Sequence, residues 1–406
     1  MKIAIIGSGI SGLSTAHLLY QHHDVTVFEA DSRIGGHTNT IDVNGMAIDT
    51  GFIVFNDRTY PNFKALMDKL GVAYRPTEMS FAVRNDSWAL EYNGNNLNTL
   101  FADRKNLLRP KFYSMILDIL RFNKQLKSGN YNRELSLGAF LAENNFGEWF
   151  SNGYLLPMCS AIWSMGILET LDFPLEFFVK FFINHGLLDI SNRPQWYTIE
   201  GGSRNYIAKL TAGFESKIKL NHGVKLVKRS VDGVELIFMD NSTAKFDQVV
   251  FACHSDQALE MLCDPTTSEK DILGMIKYSS NEVVVHTDIS LLPKRKLAYA
   301  SWNYLVSKNS FTQATLTYNM NILQGLISDK TYCVTLNSSE LIDKSCILAE
   351  FNYTHPVYSK NALTAQARWK EISGVNNTHY CGAYWANGFH EDGVVSALKV
   401  CENLGG

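Results

Sequence analysis

The sequence predicts an α/β protein: a Rossmann-like dinucleotide-binding domain interrupted by a discontinuous α+β second domain. Three observations carry this. A short apolar strand at residues 2–6 runs into a glycine-rich turn and then a helix. An acidic residue, Glu29, ends the next strand. The order strand, glycine turn, helix returns near the end of the chain, whereas the middle does not alternate in this way.

Lys2 to Ile6 reads as a buried parallel strand, because such strands are covered on both faces and therefore continuously apolar. A helix from Ile10 to about Gln21 and a strand from Val25 to Glu29 complete a β-turn-α-β unit. Ile41 to Asp49 centres on Asn44-Gly45, a pair suited to the positive φ angles of a hairpin turn. Arg58 to Leu70 reads as a helix, and Tyr74 to Asn98 as irregular strand. Phe112, Met115, Ile116, Ile119 and Leu120 recur at helical spacing, so a helix is expected over Lys111 to Leu126. Helices are also expected over Ser136–Asn145, Tyr154–Met165 and Leu175–Leu188, the last dense in Phe.

Strands return after Gly201-Gly202: Ile218–Leu220, Val224–Arg229, Gly233–Met239 and Gln248–Ala252, then Glu282–Asp288 and Tyr332–Leu336 in a second sheet. A strand at Thr378–Cys381 and a helix from Gly393 to about Asn403 close the chain. The expected division is 1–75, 200–262 and 350–406 for the nucleotide domain, with 76–199 and 263–349 for the second.

Composition narrows function. With 46% hydrophobic and 19% charged residues the chain is globular, and a net charge of −3 offers no basic surplus for nucleic acid. Seven cysteines without a C-x-x-C pair argue against a disulfide framework or a zinc site and for a reducing, cytoplasmic setting. Lys2 and the apolar residues after it resemble the start of a signal peptide, but Gly7, Gly9 and Gly12 break the apolar run, so a strand and turn are expected. Ser151–Leu168, which contains Gly153, Pro157, Ser160 and Ser164, is barely long enough to span a bilayer and no span is expected.

Gly7-Ser8-Gly9-Ile10-Ser11-Gly12 is a G-x-G-x-x-G. The first glycine permits a tight turn, the second lets backbone approach a pyrophosphate, and the third lets helix and strand pack closely. The helix N-terminus then offers free N–H groups and partial positive charge. The motif alone is weak. Here it follows a strand, opens a helix and precedes Glu29, which is placed to accept hydrogen bonds from ribose hydroxyls.

Glu29-Ala30-x-x-Arg33-x-Gly35-Gly36, continued by His37 and Thr38, resembles the extended signature of the flavin amine oxidase superfamily, which includes monoamine and polyamine oxidases, protoporphyrinogen oxidase and phytoene desaturases. The resemblance implies a GR2-type FAD-binding domain, with Arg33 and the Gly35-Gly36 backbone along the diphosphate and ribitol. It extends to Gly51-Phe52-Ile53, which would pass the flavin ring, and to Val224, whose backbone would hold adenine. It also covers the returning strand ending at Ala252, and the final motif, Gly382-Ala383 and Asp392-Gly393-Val394. That last helix N-terminus would face the flavin pyrimidine and stabilise negative charge on the reduced ring. Arg193–Trp196, Gly201–Arg204, Ala252–Ala258, Ser301–Tyr304 and Gly388–Gly393 further resemble a bacterial subgroup of FAD-binding proteins often linked with fatty-acid-modifying methyltransferases, which implies a lipid substrate.

The chain departs from the amine oxidases in several places. Their Lys beside flavin N5 has no counterpart in Ser279–His286, since Lys277 lies outside it. Phe389 aligns with one ring of their aromatic pair and Trp385 is a candidate for the other. Cys381 is too near the last motif for their covalent linkage, so FAD is expected to be noncovalent. His37 stands in place of an Arg, and Ala383 in place of an acid or Thr.

The catalytic candidates are His390, which titrates near neutral pH, and Glu282, which would suit a cationic substrate. For His390, as for His254 and His355, a hydrogen-bonded structural role is the alternative; for Glu282 it is a sheet-edge acid. The Phe-rich helix, with Trp163, Trp196 and Trp302, either packs as core or lines an apolar pocket, and if exposed it suits transient contact with a membrane surface. Three functions follow. The first is an FAD-dependent dehydrogenase or desaturase for a hydrophobic substrate such as a fatty acyl chain, reoxidised by an unidentified electron acceptor. The others are a flavin amine oxidase producing peroxide and a noncatalytic FAD-stabilised partner subunit.

Overall fold

A computed structural model describes residues 1–163, 170–189, 193–307 and 315–405. The expected helix to Met165 and the stretch to Leu168 run outside the described residues, as does the side chain of Trp163.

The opening unit is β1 (Lys2–Ile6), α1 (Ile10–Leu19) and β2 (Asp24–Phe28). A hairpin follows, β3 (Thr40–Val43) and β4 (Met46–Asp49), whose turn residues Asn44 and Gly45 have φ of 51° and 77°. Helix α2 (Pro61–Leu70) starts on a proline, whose missing N–H costs nothing in the first turn. The strands β5 (Phe81–Asn85) and β6 (Leu90–Asn93) precede the long helix α3 (Pro110–Lys127). Helix α4 (Leu175–Asn184) is the Phe-rich one and α5 (Arg204–Thr211) follows the paired glycines.

Next come β7 (Ile218–Lys219), β8 (Val224–Ser230), β9 (Gln248–Phe251), β10 (Lys277–His286), β11 (Trp302–Val306), β12 (Thr315–Asn319) and β13 (Cys333–Leu336). The chain ends in β14 (Ile347–Val357), β15 (Thr378–Tyr380) and α6 (His390–Leu404).

A parallel five-stranded sheet has the order β7-β2-β1-β9-β15, with Ile5 between Val27 and Val250. One face packs on Ala16, Leu19, Val400 and Leu404 of α1 and α6. The other meets a second layer through Ala4, Ile6, Phe251, Ile272 and Leu273. The second, seven-stranded sheet is mixed, in the order β14-β10-β13-β12-β11-β5-β6. The sequence thus folds into the α/β architecture it predicts.

One difference from the expected elements, and one alternative left open, have physical reasons. Strand β14 has 11 residues, runs across residue 350 and was not expected. Among the described residues its only strand neighbour is β10, and it carries polar residues and Pro356. An edge strand tolerates a proline that a central one does not. The Phe-rich helix is core: Phe178, Phe181 and Phe182 are buried among Phe122, Phe140 and Phe150. It therefore does not present the apolar face that membrane contact needs.

Among the described residues no helix is long and apolar enough to cross a membrane, and no cluster of His, Cys, Asp and Glu suits a metal ion. All seven cysteines are free.

Candidate functional site

The glycine turn is shaped by near contact. A Cβ on Gly7 (φ 108°) would lie 2.8 Å from Ala252 O, and one on Gly12 would lie 2.1 Å from Gly7 O. Ala252 therefore seats the strand end against the turn and forbids side chains there. Gly9, the residue before α1, differs: no atom lies within 4 Å of the position its Cβ would take. Ser8 donates both its N–H and its hydroxyl to Glu29 Oε2, at 2.9 and 2.6 Å. Ile10 is buried and Ser11 Oγ lies near Gly393.

Glu29, Ala30 and Val224 come together at one end. His222 N–H donates to Glu29 O, Asn221 N–H donates to Asp31 O, and a Cβ on Gly223 would touch Ala30.

The loop after Glu29 is held by Arg33. Its guanidinium donates to Thr38 O at 2.8 Å, Gly36 O at 2.6 Å and Ile34 O at 3.3 Å. Gly35 and Gly36 both have positive φ, and Gly36 comes against Gly9 Cα. Next along, Thr38 Oγ1 lies 2.5 Å from Tyr206 OH and 2.9 Å from His390 Nε2. The His390 ring stacks on Phe52 at 3.7 Å. Phe52 N–H donates to His37 O, and a Cβ on Gly51 would lie 2.1 Å from that carbonyl. Ile53 is buried and its carbonyl accepts from Thr198.

The final motif closes the arrangement. The Asp392 carboxylate reaches back to accept the N–H groups of Phe389 and Asn387. A Cβ on Gly393 would lie 2.7 Å from Ile10 Cγ2, so the N-termini of α1 and α6 converge only because residue 393 has no side chain. Val394 packs with Ile10 and Phe52. Gly382 N–H donates to Ser396 Oγ, and Ala383 O accepts from Gly388.

Electrostatics follow burial. Desolvation, with His37 as a smaller contributor, pushes His390 down to about 3, so its imidazole is uncharged at neutral pH. His37, His254 and His355 are also lowered, by burial first and then by charges nearby, the last two to about 4. Their rings gather at the seam of the two sheets, His37 lying 5.4 Å from His355 and 6.1 Å from His254. Glu282 is not among them: it accepts from Ser339 N–H at the far turn. The residue of β10 that reaches this group is Asn281, whose Nδ2 lies 3.2 Å from His355 Nδ1.

Several members were missed in the sequence. Tyr206 carries no motif of its own. Asp49 lies buried beneath the site, accepting from Thr40 and Ser203. Glu391 caps α2 from afar. The rings that meet Phe389 are Tyr60, Phe181 and His185, while Trp385 packs on Tyr384. Beside Phe389 a cleft of about 510 Å³ is bounded by Arg58, Ile183, His185, Asn387 and Asp392. Trp196 approaches this wall through Tyr60, while Trp302 packs on Tyr318 in the second sheet.

A helix N-terminus beside an open glycine, an acid at the end of β2 and a second helix N-terminus fit a dinucleotide of the FAD type. The model of the family described as flavin containing amine oxidoreductase matches residues 10–313. Protoporphyrinogen oxidase 2, chloroplastic/mitochondrial, of Arabidopsis thaliana is 38% identical over 154 residues, covering 36% of this chain and 29% of that protein. L-amino-acid oxidase of Siganus canaliculatus is 22% identical over 322 residues, covering 70% and 56%. The chain thus spans little more than half, or less, of these curated relatives. The crystal structure of a CLA-producing fatty acid isomerase from P. acnes superposes with a TM-score of 0.69 at 15% identity, covering 98% of this chain and 97% of that one, a likeness of fold.

Proposed function

The chain belongs to the flavin-containing amine oxidoreductase family; from that premise we propose that it is an FAD-dependent oxidoreductase that removes a hydride from a hydrophobic substrate, of the fatty acyl class, as a dehydrogenase or desaturase. Bound FAD supplies the two-electron acceptor at N5. The residues that would hold it are the amides of Gly9 to Gly12 for the diphosphate, Glu29 for ribose, and the Val224 backbone for adenine. Gly51 to Ile53 and Asp392 to Val394 would hold the ring. Arg33, clamped on loop carbonyls, keeps Gly35 to Thr38 in shape for it. We assign residues 1–75, 200–276 and 358–406 to the FAD domain and 76–199 and 277–357 to the substrate domain; the expected boundaries at 262 and 350 move because Ile272 and Leu273 pack on the parallel sheet and β14 pairs along its length with β10.

The substrate class rests on one contact. Phe181, on the Phe-rich helix, stacks on Phe389 at 5.7 Å, so the apolar helix reaches the residue that leads into α6. His185 completes the wall, 5.4 Å from Phe389, and burial lowers it to about 4, leaving it uncharged. The cleft of about 510 Å³ beside these rings is bounded by Arg58, Asn387 and Asp392 as well as Ile183 and Phe389, so it would meet both polar and apolar groups of a ligand. The likeness of fold to the P. acnes fatty acid isomerase supports the same class.

We further propose that FAD is noncovalent: the Cys381 thiol is buried against Thr15, and burial pushes it up to about 12, so it is not a nucleophile at neutral pH. The second reading, amine oxidation with release of peroxide, is favoured by the L-amino-acid oxidase relative. Against it, Lys277 is exposed at the start of β10 and Asn281 holds the inward position. Anaerobic titration separates the two. Bleaching of the flavin by fatty acids and not by amines supports the proposal; bleaching by amines alone overturns it.

A further inference from the structure

The solvent face of α3 and of the segment before it is apolar without a cover. Tyr113, Leu117 and Leu120 form a stripe at helical spacing and are 42%, 65% and 43% exposed, while Leu97, Leu107 and Leu108, just upstream, are 76%, 48% and 87% exposed. Phe112, Met115, Phe122 and Leu126 already supply the core on the opposite face. The helix is thus apolar on both sides, which folding alone does not require.

Charge identifies what fits. Residues 97–127 hold seven Lys and Arg against two Asp, in a chain whose net charge is −3. Both acids are spent: Asp103 is buried against Arg295, and Asp118 pairs with Arg121 and accepts Gly147 N–H. Lys124 continues the stripe one turn on, and Arg104, Lys105, Arg109 and Lys111 flank its start, none with a carboxylate partner among the described residues. Leucines within a basic rim match an anionic bilayer surface, where side chains enter the headgroup boundary while Lys and Arg meet the lipid phosphates.

We propose that this face docks the protein on anionic membrane surfaces. The contact is peripheral, since no described helix can cross a bilayer. It is independent of the substrate class proposed above.

The test is flotation of the flavin-loaded protein with vesicles of phosphatidylcholine alone or mixed with phosphatidylglycerol. Binding to the anionic vesicles, weakened by salt, is expected. Lys111→Glu with Lys124→Glu should lower partitioning by on the order of tenfold or more, and Leu108→Asp with Leu117→Asp should abolish it. Val231→Asp, at an exposed apolar residue elsewhere, should leave it unchanged. Melting temperature and flavin content confirm that each variant is folded. Failure to bind anionic vesicles, or equal loss with Val231→Asp, overturns the proposal. So does a self-association that Leu117→Asp abolishes without any vesicle binding, because the face then joins two copies of this chain.

Discussion

Gln324 meets Asp49 twice: its side-chain carbonyl accepts the Asp49 N–H at 2.9 Å, and its amide donates to Asp49 Oδ2 at 2.9 Å. The pair joins the turn after β12 to the end of β4. Ser203 and Thr40 supply the remaining donors to Oδ1. Burial pushes the Asp49 carboxyl up to about 6, against these hydrogen bonds. Gln324→Leu removes one donor from a buried carboxylate and the side-chain acceptor of a buried N–H, a loss of about 1–3 kcal/mol. Urea unfolding should show it; an unchanged midpoint would mean that water replaces the amide.

Gly9→Ala and Gly12→Ala should part company. A methyl at Gly12 would lie 2.1 Å from Gly7 O, while at Gly9 it meets nothing within 4 Å. Gly12→Ala should therefore destabilise the apoprotein by about 1–3 kcal/mol. Gly9→Ala should leave apoprotein melting unchanged and still weaken FAD, because its methyl enters the proposed path of the diphosphate. Differential scanning and flavin titration read the two effects.

Glu391 caps a helix that has no cap of its own. Its carboxylate accepts Asn62 N–H, Asn62 Nδ2 and Phe63 N–H at the start of α2, where Tyr60 offers no side-chain bond. Glu391→Gln weakens both the charge at that N-terminus and one acceptor, for about 1–2 kcal/mol in thermal unfolding.

Acid should destabilise the protein. Burial lowers His185, His254, His286, His355 and His379 to about 4 and His390 to about 3. The unfolded chain therefore binds more protons between pH 4 and 6.5, and stability falls as pH drops through that window. Asp49 and Asp392, raised to about 6 and 7, act in the opposite sense, but they are two against six. Melting temperature should fall from pH 7 to pH 5. His254→Gln with His355→Gln should flatten the slope, and an unchanged slope would mean that these rings do not titrate with unfolding.

The turn from β1 into α1 and the Asn44-Gly45 hairpin were legible because their backbone geometry restricts which residues fit. Strand β14 was not, because an edge strand with Pro356 and alternating polar residues resembles a loop. At the site, Gly7, Gly9, Gly12 and Glu29 could be read from their spacing together with the strand before and the helix after, and the later glycines from the family resemblance. The partners of His390 could not: Tyr206 is 184 residues away from it in the chain, and only the fold brings its hydroxyl within 3.2 Å. Glu282 misled for a related reason. The family resemblance pointed to its strand, but its neighbour Asn281 takes the direction of His355, since side chains alternate across a sheet.

The most direct test of the account is the visible spectrum of the purified protein before and after acid precipitation. The account predicts a yellow protein that carries one FAD per chain and releases it to the supernatant. A colourless protein that FAD does not reconstitute would contradict the cofactor site built on Gly7 to Gly12, and colour retained in the pellet would contradict noncovalent binding.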